Sequence, residues 1–135
     1  MTVLLAIDDD AGRYDGLRRY LGDRSDVQVV VACCAACVAQ HLPTASAVLL
    51  DYDLDSGELC EACGGWPEQV KSTSYLPAVL ARRVPTVVTS CSYPANVLGL
   101  CRALHQGGVP HIASNAHETD CELRWLGWLW LRGVL

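Results

Sequence analysis

"AVLLDYDLDSGE", residues 47–58, joins an apolar run directly to a series of carboxylates. Residues 47–50 form the short, wholly apolar run that is typical of a strand buried on both faces of a sheet. Acidic residues then follow at every second position, as Asp51, Asp53 and Asp55. Because a structural strand usually stops at Gly, Asn or Pro, this ending indicates a strand that delivers acid to a site.

The composition is that of one globular domain, and we expect a single domain over residues 1–135. Of the 135 residues 51% are hydrophobic, which argues against disorder, and the formal net charge is −5. Ten basic residues scattered among fifteen acidic ones form no basic stripe for a phosphate backbone. Nucleic acid is therefore expected at most as a substrate.

The start of the chain carries no signal for export. Met1 leads directly into an apolar run without a preceding basic segment, and no apolar stretch reaches the roughly 18–20 residues of a membrane span. The sequence therefore predicts a cytoplasmic protein with no membrane partner. In a reducing compartment its eight cysteines are expected as free thiols or metal ligands rather than disulfides.

Runs of buried-strand type alternate with helical periodicity along the chain. The predicted strands cover residues 3–7, 27–32, 47–50, 86–89 and 110–113. The predicted helices cover residues 14–21, 34–41, 75–82, 95–106 and 123–131, the last with a capping box of Thr119 and Glu122. This order predicts an α/β fold, a doubly wound five-stranded parallel sheet in a three-layer sandwich, with an inserted loop at about residues 55–73.

Acid and hydroxyl groups follow three of the predicted strands. Asp8, Asp9 and Asp10 come after the first strand, Asp51 after the third, and Thr89 and Ser90 after the fourth. Because parallel strands end at one edge, these groups should meet there, where such sheets bind ligands. Carboxylates from two neighbouring strand ends favour Mg²⁺. The alternative is that the acids merely end strands, with Asp9 or Asp10 as the N-cap of the first helix.

Three segments resemble the receiver domains of bacterial response regulators: "LLAIDDDAGRYDGLRRYL" (4–21), "AVLLDYDL" (47–54) and "VPTVVTS" (84–90). The resemblance implies a flavodoxin-like sandwich in which Mg²⁺ and a phosphoryl group bind the acid site. The implied metal ligands are Asp9 and Asp10, with Asp8 as their alternate through a shift of register, together with Asp51 and Asp53. The implied catalytic groups are Asp51 as the phosphoacceptor and the hydroxyls of Thr89 and Ser90.

The chain departs from the receiver pattern in one important position. Receivers carry a lysine at the end of the fifth strand, which here corresponds to Ser114 or Asn115. The only lysine is Lys71, which lies far from that position in the sequence. The acid site is therefore expected to bind metal, while its ability to accept a phosphoryl group is open.

A narrower resemblance is to receiver-like proteins predicted to process cyclic phosphates. Their motifs Asp-His-Asp-Leu and His-Ser-x-Asn correspond here to "DYDL" (51–54) and "TSCS" (89–92), and the tryptophans in "RWLGWLWLRG" (124–133) also match. Both motif histidines are replaced, by Tyr52 and Thr89, so the general acid or base is missing. His111 or His117 would have to take its place in space.

The cysteines and tryptophans leave further alternatives open. Cys60 and Cys63 form a C-x-x-C pair inside the insertion, whereas a structural zinc site needs four ligands. Cys33, Cys34, Cys37 or His41 would supply the others if the loop folds back; the alternatives are a redox pair, or free thiols packed on a small-residue helix. The apolar surface around the last helix predicts a homodimer or, alternatively, burial beneath the insertion with Trp66.

Three functions follow from the sequence. The first is an atypical receiver-like signalling domain, phosphorylated at Asp51 by a sensor kinase and acting through protein contact. The second is a metal-dependent enzyme that processes cyclic-phosphate ends of nucleotides or RNA. The third is a degenerate receiver that binds a protein partner constitutively.

Overall fold

The fold alternates strands and helices from end to end. A computed structural model describes residues 1–54, 58–66, 71–90, 92–114 and 121–135, and for 121–124 the backbone alone. The strands are β1 (Thr2–Ile7), β2 (Val27–Ala32), β3 (Ala47–Leu50), β4 (Thr86–Val88) and β5 (His111–Ala113). The helices are α1 (Asp15–Leu21), α2 (Ala35–His41), α3 (Leu76–Arg82), α4 (Pro94–Gln106) and α5 (Cys121–Leu131).

The five strands form one parallel sheet in the order β2-β1-β3-β4-β5. The chain leaves β1 towards one edge of the sheet to form β2 and then returns to the other side of β1 to form β3. This reversal makes the end of β1, beside the end of β3, the switch point at which such sheets leave a crevice. The predicted doubly wound sheet is confirmed.

Each face of the sheet carries its own hydrophobic core, because side chains alternate along a strand. In β1, Leu5 and Ile7 pack on the face that α2, α3 and α4 cover, whereas Leu4 and Ala6 pack against α1 and α5. All four side chains are fully buried. The helices therefore lie on both faces, as the predicted three-layer sandwich requires.

The helices begin differently from the prediction. One 3₁₀ turn (Ala11–Tyr14) precedes α1, and another (Ser72–Tyr75) precedes α3. Asp10 occupies the N-cap position of the first turn, but its side chain makes no capping hydrogen bond, so the predicted capping role is wrong for Asp10. The predicted capping box lies outside the described residues at Thr119 and in the side chain of Glu122.

Part of the predicted insertion folds back against β2 and α2. Its tight turn is closed by the hydrogen bonds from Cys60 N–H to Gly65 O at 2.8 Å and from Gly64 N–H to Cys60 O at 2.6 Å. Arg18 of α1 holds the turn from outside, donating to both carboxylate oxygens of Glu61 at 2.8 and 2.9 Å. The described part of the insertion is therefore a packed element.

The last helix has a buried and an exposed face. Trp125, Leu126 and Leu129 lie in the core, whereas Trp130 is 66% exposed and Leu131 79% exposed. Trp130 and Leu131 are thus left largely open to solvent, and Trp66 of the described part of the insertion is itself 69% exposed, so the alternative of burial beneath the insertion is wrong. Among the described residues, no helix has the length and apolar character needed to cross a membrane.

Candidate functional site

Three buried carboxylates meet at the carboxyl edge of the sheet. Asp8 and Asp9 follow β1 and Asp51 follows β3, and each has a carboxylate oxygen within 4.8 Å of the others. The pairing of β1 with β3 brings them together, since the N–H of Asp51 donates to the carbonyl of Ile7 at 3.1 Å. The three residues are only 1–5% exposed. We call Asp8, Asp9 and Asp51 the acid cluster.

Two of the predicted metal ligands lie outside the acid cluster. Asp10 is exposed, and its backbone N–H donates to Asp8 Oδ1 at 2.9 Å. Asp53 forms an ion pair with Lys71, to which it is also joined by an antiparallel bridge. The structure thus brings Asp8, and not Asp10, together with Asp9 and Asp51. Asp55 lies outside the described residues.

A cation that the sequence analysis missed lies against the acid cluster. Arg13 Nη1 is 3.0 Å from Asp8 Oδ2 and 3.5 Å from Asp51 Oδ1. The same nitrogen donates to the carbonyl of Thr89 at 3.4 Å. The 3₁₀ turn brings the guanidinium back over the strand ends, and the sequence signal was the short spacing from Asp8. Arg13 therefore supplies a positive charge at a site without a nearby lysine in the described residues.

Three hydroxyl groups complete the polar lining of the site. Tyr14 donates to Asp8 Oδ2 at 2.7 Å and lies 3.4 Å from Thr89 Oγ1. Ser90 hydrogen-bonds the carboxylate of Asp51. Thr89 is buried and held in place by its N–H, which donates to the carbonyl of Leu50 at 2.9 Å. The predicted hydroxyls thus lie beside the acid cluster.

Burial and repulsion raise the pKa of two carboxyl groups of the acid cluster, Asp8 and Asp51. Burial, followed by repulsion from Asp51, raises the pKa of Asp8 to about 7, against the opposing effect of Arg13 and Tyr14. Burial also raises the pKa of Asp51, while Arg13 and the hydrogen bond from Ser90 lower it in part. When ionised, three carboxylates face one guanidinium, so the cluster carries excess negative charge. Hard oxygen ligands with such an excess fit Mg²⁺.

The described histidines lie away from the acid cluster. His111 begins β5 and is paired with Thr86, which begins β4, so it lies at the amino edge of the sheet. There its ring packs edge to face against that of His105, with centroids 6.4 Å apart. His41 ends α2, which runs from the carboxyl edge towards the amino edge. The suggestion that His111 replaces the missing motif histidine is therefore wrong, and His117 lies outside the described residues.

Lys71 does not lie at the position that a lysine occupies in receivers. Ser114 directly follows β5 at the carboxyl edge, and its N–H donates to the carbonyl of Val88 at 2.8 Å. Lys71 instead pairs with Asp53 and lies 5.2 Å from the centre of the Tyr52 ring. Lys71 thus fastens the end of the insertion to the chain that follows β3.

A second group of ionisable side chains lies where the insertion meets the end of β2 and the start of α2. The sulfurs of Cys33, Cys34 and Cys60 lie within 4.8 Å of one another, and so do those of Cys37, Cys60 and Cys63. Burial raises the pKa of Cys33 and Cys37 to about 12. Burial acts on Cys60 in the same direction, but backbone N–H groups of Cys33, Cys34 and Cys63 donate to its sulfur and lower its pKa to about 6. Cys60 therefore favours the thiolate.

The sequence matches no protein-family model and no curated protein. The structure, in contrast, is similar to solved receiver domains over nearly the whole chain. A CheY-like response regulator receiver domain protein from Methanospirillum hungatei JF-1 has 14% identity and a TM-score of 0.62, over 99% of this chain and 96% of that one. A response regulator receiver protein from Pseudomonas putida has 15% identity and a TM-score of 0.61, over 97% and 96%.

A third similar structure is the BeF3-activated N-terminal receiver domain of RstA from Klebsiella pneumoniae. It has 20% identity and a TM-score of 0.57, over 96% of this chain and 97% of that one. At these identities the similarity establishes the fold alone. The chain therefore has the fold of a receiver domain, which confirms the resemblance read from its sequence.

Proposed function

We propose that this chain is an atypical receiver-like signalling domain whose acid cluster binds Mg²⁺ and which carries a phosphoryl group on Asp51. The observation that supports this function is the convergence of Asp8, Asp9 and Asp51 at the switch point of a receiver fold. A cytoplasmic sensor kinase would donate the phosphoryl group, and the response would pass to a protein partner by contact.

The chemistry would be an in-line displacement at phosphorus. A carboxylate oxygen of Asp51 attacks the phosphoryl group of the donor, and the new O–P bond forms as the bond to the leaving atom breaks, with the electron pair staying on that atom. Bound Mg²⁺ supplies neutralisation of the charge that develops on the phosphoryl oxygens. Asp8 and Asp9 would hold the metal ion together with Asp51, because each has a carboxylate oxygen within 4.8 Å of that residue.

The other groups of the site would bind and orient the phosphoryl oxygens. Arg13 already lies 3.5 Å from Asp51, so its guanidinium would provide the positive charge that receivers obtain from a lysine. The hydroxyls of Thr89 and Ser90 would donate hydrogen bonds to the same oxygens. Tyr14 would hold Asp8 in position, since its hydroxyl donates to Oδ2 of that residue.

The test is phosphorylation by a small acyl phosphate with Mg²⁺, followed by intact-mass spectrometry. We expect one phosphate per chain, lost on treatment with hydroxylamine because the bond is an acyl phosphate. Asp51→Asn should abolish the adduct, whereas the matched variant Asp53→Asn should retain it, since Asp53 pairs with Lys71 outside the cluster. Absence of the adduct at all donor concentrations would contradict the proposal and leave the constitutive partner-binding function.

The proposed enzyme acting on cyclic phosphates gains less support from the site. Its reaction needs a group that transfers a proton near neutral pH, and the described histidines lie near the amino edge. Asp8, whose pKa burial raises to about 7, is held by Arg13 and Tyr14 and is already assigned to the metal ion. The site therefore supports the signalling function better than it supports this enzyme.

We also propose that the outer face of α5 forms a homodimer. The exposed side chains of Trp130 and Tyr20 lie on either side of a groove of about 500 Å³ between α5 and α1. Exposed tryptophan and tyrosine beside an apolar groove are typical of protein interfaces. A second copy of the chain would cover both.

A further inference from the structure

We propose that Cys34, Cys37, Cys60 and Cys63 form a tetrathiolate zinc site that fastens the insertion to the start of α2. The four residues are two C-x-x-C pairs, one at the start of α2 and the other in the insertion. Considered alone, each pair is a weak signal. Together they provide the four sulfur ligands of a structural zinc site.

The sulfur positions fit one shared ion. Cys34 Sγ is 3.6 Å from Cys63 Sγ, and Cys60 lies within 4.8 Å of each of the other three sulfurs. Cys37 is likewise within 4.8 Å of Cys63. Two sulfurs bound tetrahedrally at a Zn–S distance of about 2.3 Å are about 3.8 Å apart. Five of the six sulfur pairs therefore lie at or near the separation that a bound ion requires.

The backbone around the insertion turn is arranged to stabilise thiolates. The N–H of Cys33 donates to Cys60 Sγ and the N–H of Gly65 donates to Cys63 Sγ, both at 3.4 Å. Such donors orient sulfur ligands and stabilise their negative charge. The turn also needs a positive φ of 72° at Gly64, which glycine adopts without strain. The turn between Cys60 and Cys63 is therefore preformed for two sulfur ligands.

The burial of the cluster suits a structural site with one open side. Cys34, Cys37 and Cys60 are buried, while Cys63 is exposed and provides the route by which an ion enters. A disulfide joins only two sulfurs at about 2.05 Å, and it would leave the other converging sulfurs without a role. Cys33 and Cys34 are both grouped with Cys60, but Cys34 Sγ also lies 3.6 Å from Cys63 Sγ, so we include Cys34 and leave Cys33 outside the ligand set.

This zinc site is separate from the acid cluster. It consists of soft thiolates, which select zinc, whereas the acid cluster consists of hard carboxylate oxygens, which select Mg²⁺. Binding of the ion would displace the thiol protons and would hold the insertion against the core. The zinc site thus explains how a loop with few apolar side chains of its own stays packed beside α2.

The first measurement is the metal content of the full chain purified without chelators, determined by inductively coupled plasma mass spectrometry. We expect about one zinc per chain in the wild type and at least about a tenfold lower content in Cys63→Ser, whose exposed side chain can be changed without disturbing the core. Cys101→Ser is the matched control, because Cys101 lies in α4 outside the sulfur cluster, and Asp51→Asn tests independence from the acid cluster. Both should keep the zinc of the wild type.

The second measurement identifies the ligands. Cobalt added to the metal-free protein should give the intense sulfur-to-metal absorption and visible bands of a tetrahedral tetrathiolate, and these should be lost in Cys63→Ser and retained in Cys33→Ala. Three results would overturn the proposal: a wild type that binds neither zinc nor cobalt, a bound iron in place of zinc, or peptide mapping that shows a disulfide between Cys34 and Cys63 in the purified protein.

Discussion

Arg13 is the residue that gives the acid site its particular character. A guanidinium within 3.5 Å of two buried carboxylates both neutralises them and competes with any other cation for their charge. The same side chain is placed to bind phosphoryl oxygens. Arg13 thus opposes metal binding but assists phosphoryl transfer. Removing its side chain should therefore change the two processes in opposite directions.

We predict that Arg13→Ala binds Mg²⁺ roughly tenfold more tightly, because one competing positive charge is removed. We also predict that its phosphorylation by an acyl phosphate slows by at least about tenfold, because a donor to the phosphoryl oxygens is lost. Isothermal titration and intact-mass time courses measure the two effects. Arg19→Ala, which removes an exposed arginine of α1, serves as the control.

A result in which Arg13→Ala weakens both Mg²⁺ binding and phosphorylation would contradict competition. It would mean that Arg13 acts chiefly by positioning Asp8 and Asp51. Arg13→Lys adds a further distinction, since lysine keeps the charge but loses the planar fork with which arginine contacts two acceptors.

Among the elements, α5 shows most clearly that burial, and not residue type, decides the effect of a leucine. Leu129 is fully buried against the sheet, whereas Leu131, two residues later, is 79% exposed. The two positions are two residues apart and so lie on opposite sides of the helix. An apolar pattern that surrounds the helix hides this difference in the sequence.

We predict that Leu129→Ala lowers the free energy of unfolding by about 2–5 kcal/mol, because it leaves a cavity in the core beneath α5. The matched substitution Leu131→Ala should change it by no more than about 0.5 kcal/mol. Urea unfolding of dilute protein measures both. Equal losses at the two positions would show that α5 is buried on both sides.

For the whole molecule, the exposed tryptophans predict how copies of the chain associate. We predict that the wild type is a dimer and that Trp130→Glu is a monomer, because a charge would be buried in the apolar contact between copies. Light scattering over a range of concentrations measures the change. Trp66→Glu, at an equally exposed tryptophan of the insertion, should leave the dimer intact; its dissociation would move the interface to the insertion.

Elements of the fold were predictable to different degrees, according to the range of the interactions that define them. Strand β3 was predicted to the residue, because it is a continuous run of buried apolar side chains. Strand β2 was also predicted to the residue, from a β-branched run that only the exposed Gln28 interrupts. The 3₁₀ turns before α1 and α3 were missed. Their hydrogen bonds differ from those of a helix by one residue in spacing, which leaves no separate pattern in the side chains.

The acid site was predicted in place but not in detail. The carboxyl ends of parallel strands share an edge in any such sheet, so Asp51, Thr89 and Ser90 were expected together. Three consecutive acids are equivalent in the sequence, however, and only the pairing of β1 with β3 shows that Asp8 and Asp9 face Asp51 while Asp10 turns outwards. Arg13 was missed because its position depends on the path of one short turn.

The sequence by itself determined the alternation of strands and helices, the parallel sheet and the edge at which the acid residues collect. These follow from periodicity and from topology, which local residue patterns contain. Only the tertiary structure decided that Arg13 lies on the acid cluster and that Cys60 and Cys63 meet Cys34 and Cys37. Such contacts join segments that are distant in the chain and lack periodicity, so they exist only once the sheet has fixed where each segment ends.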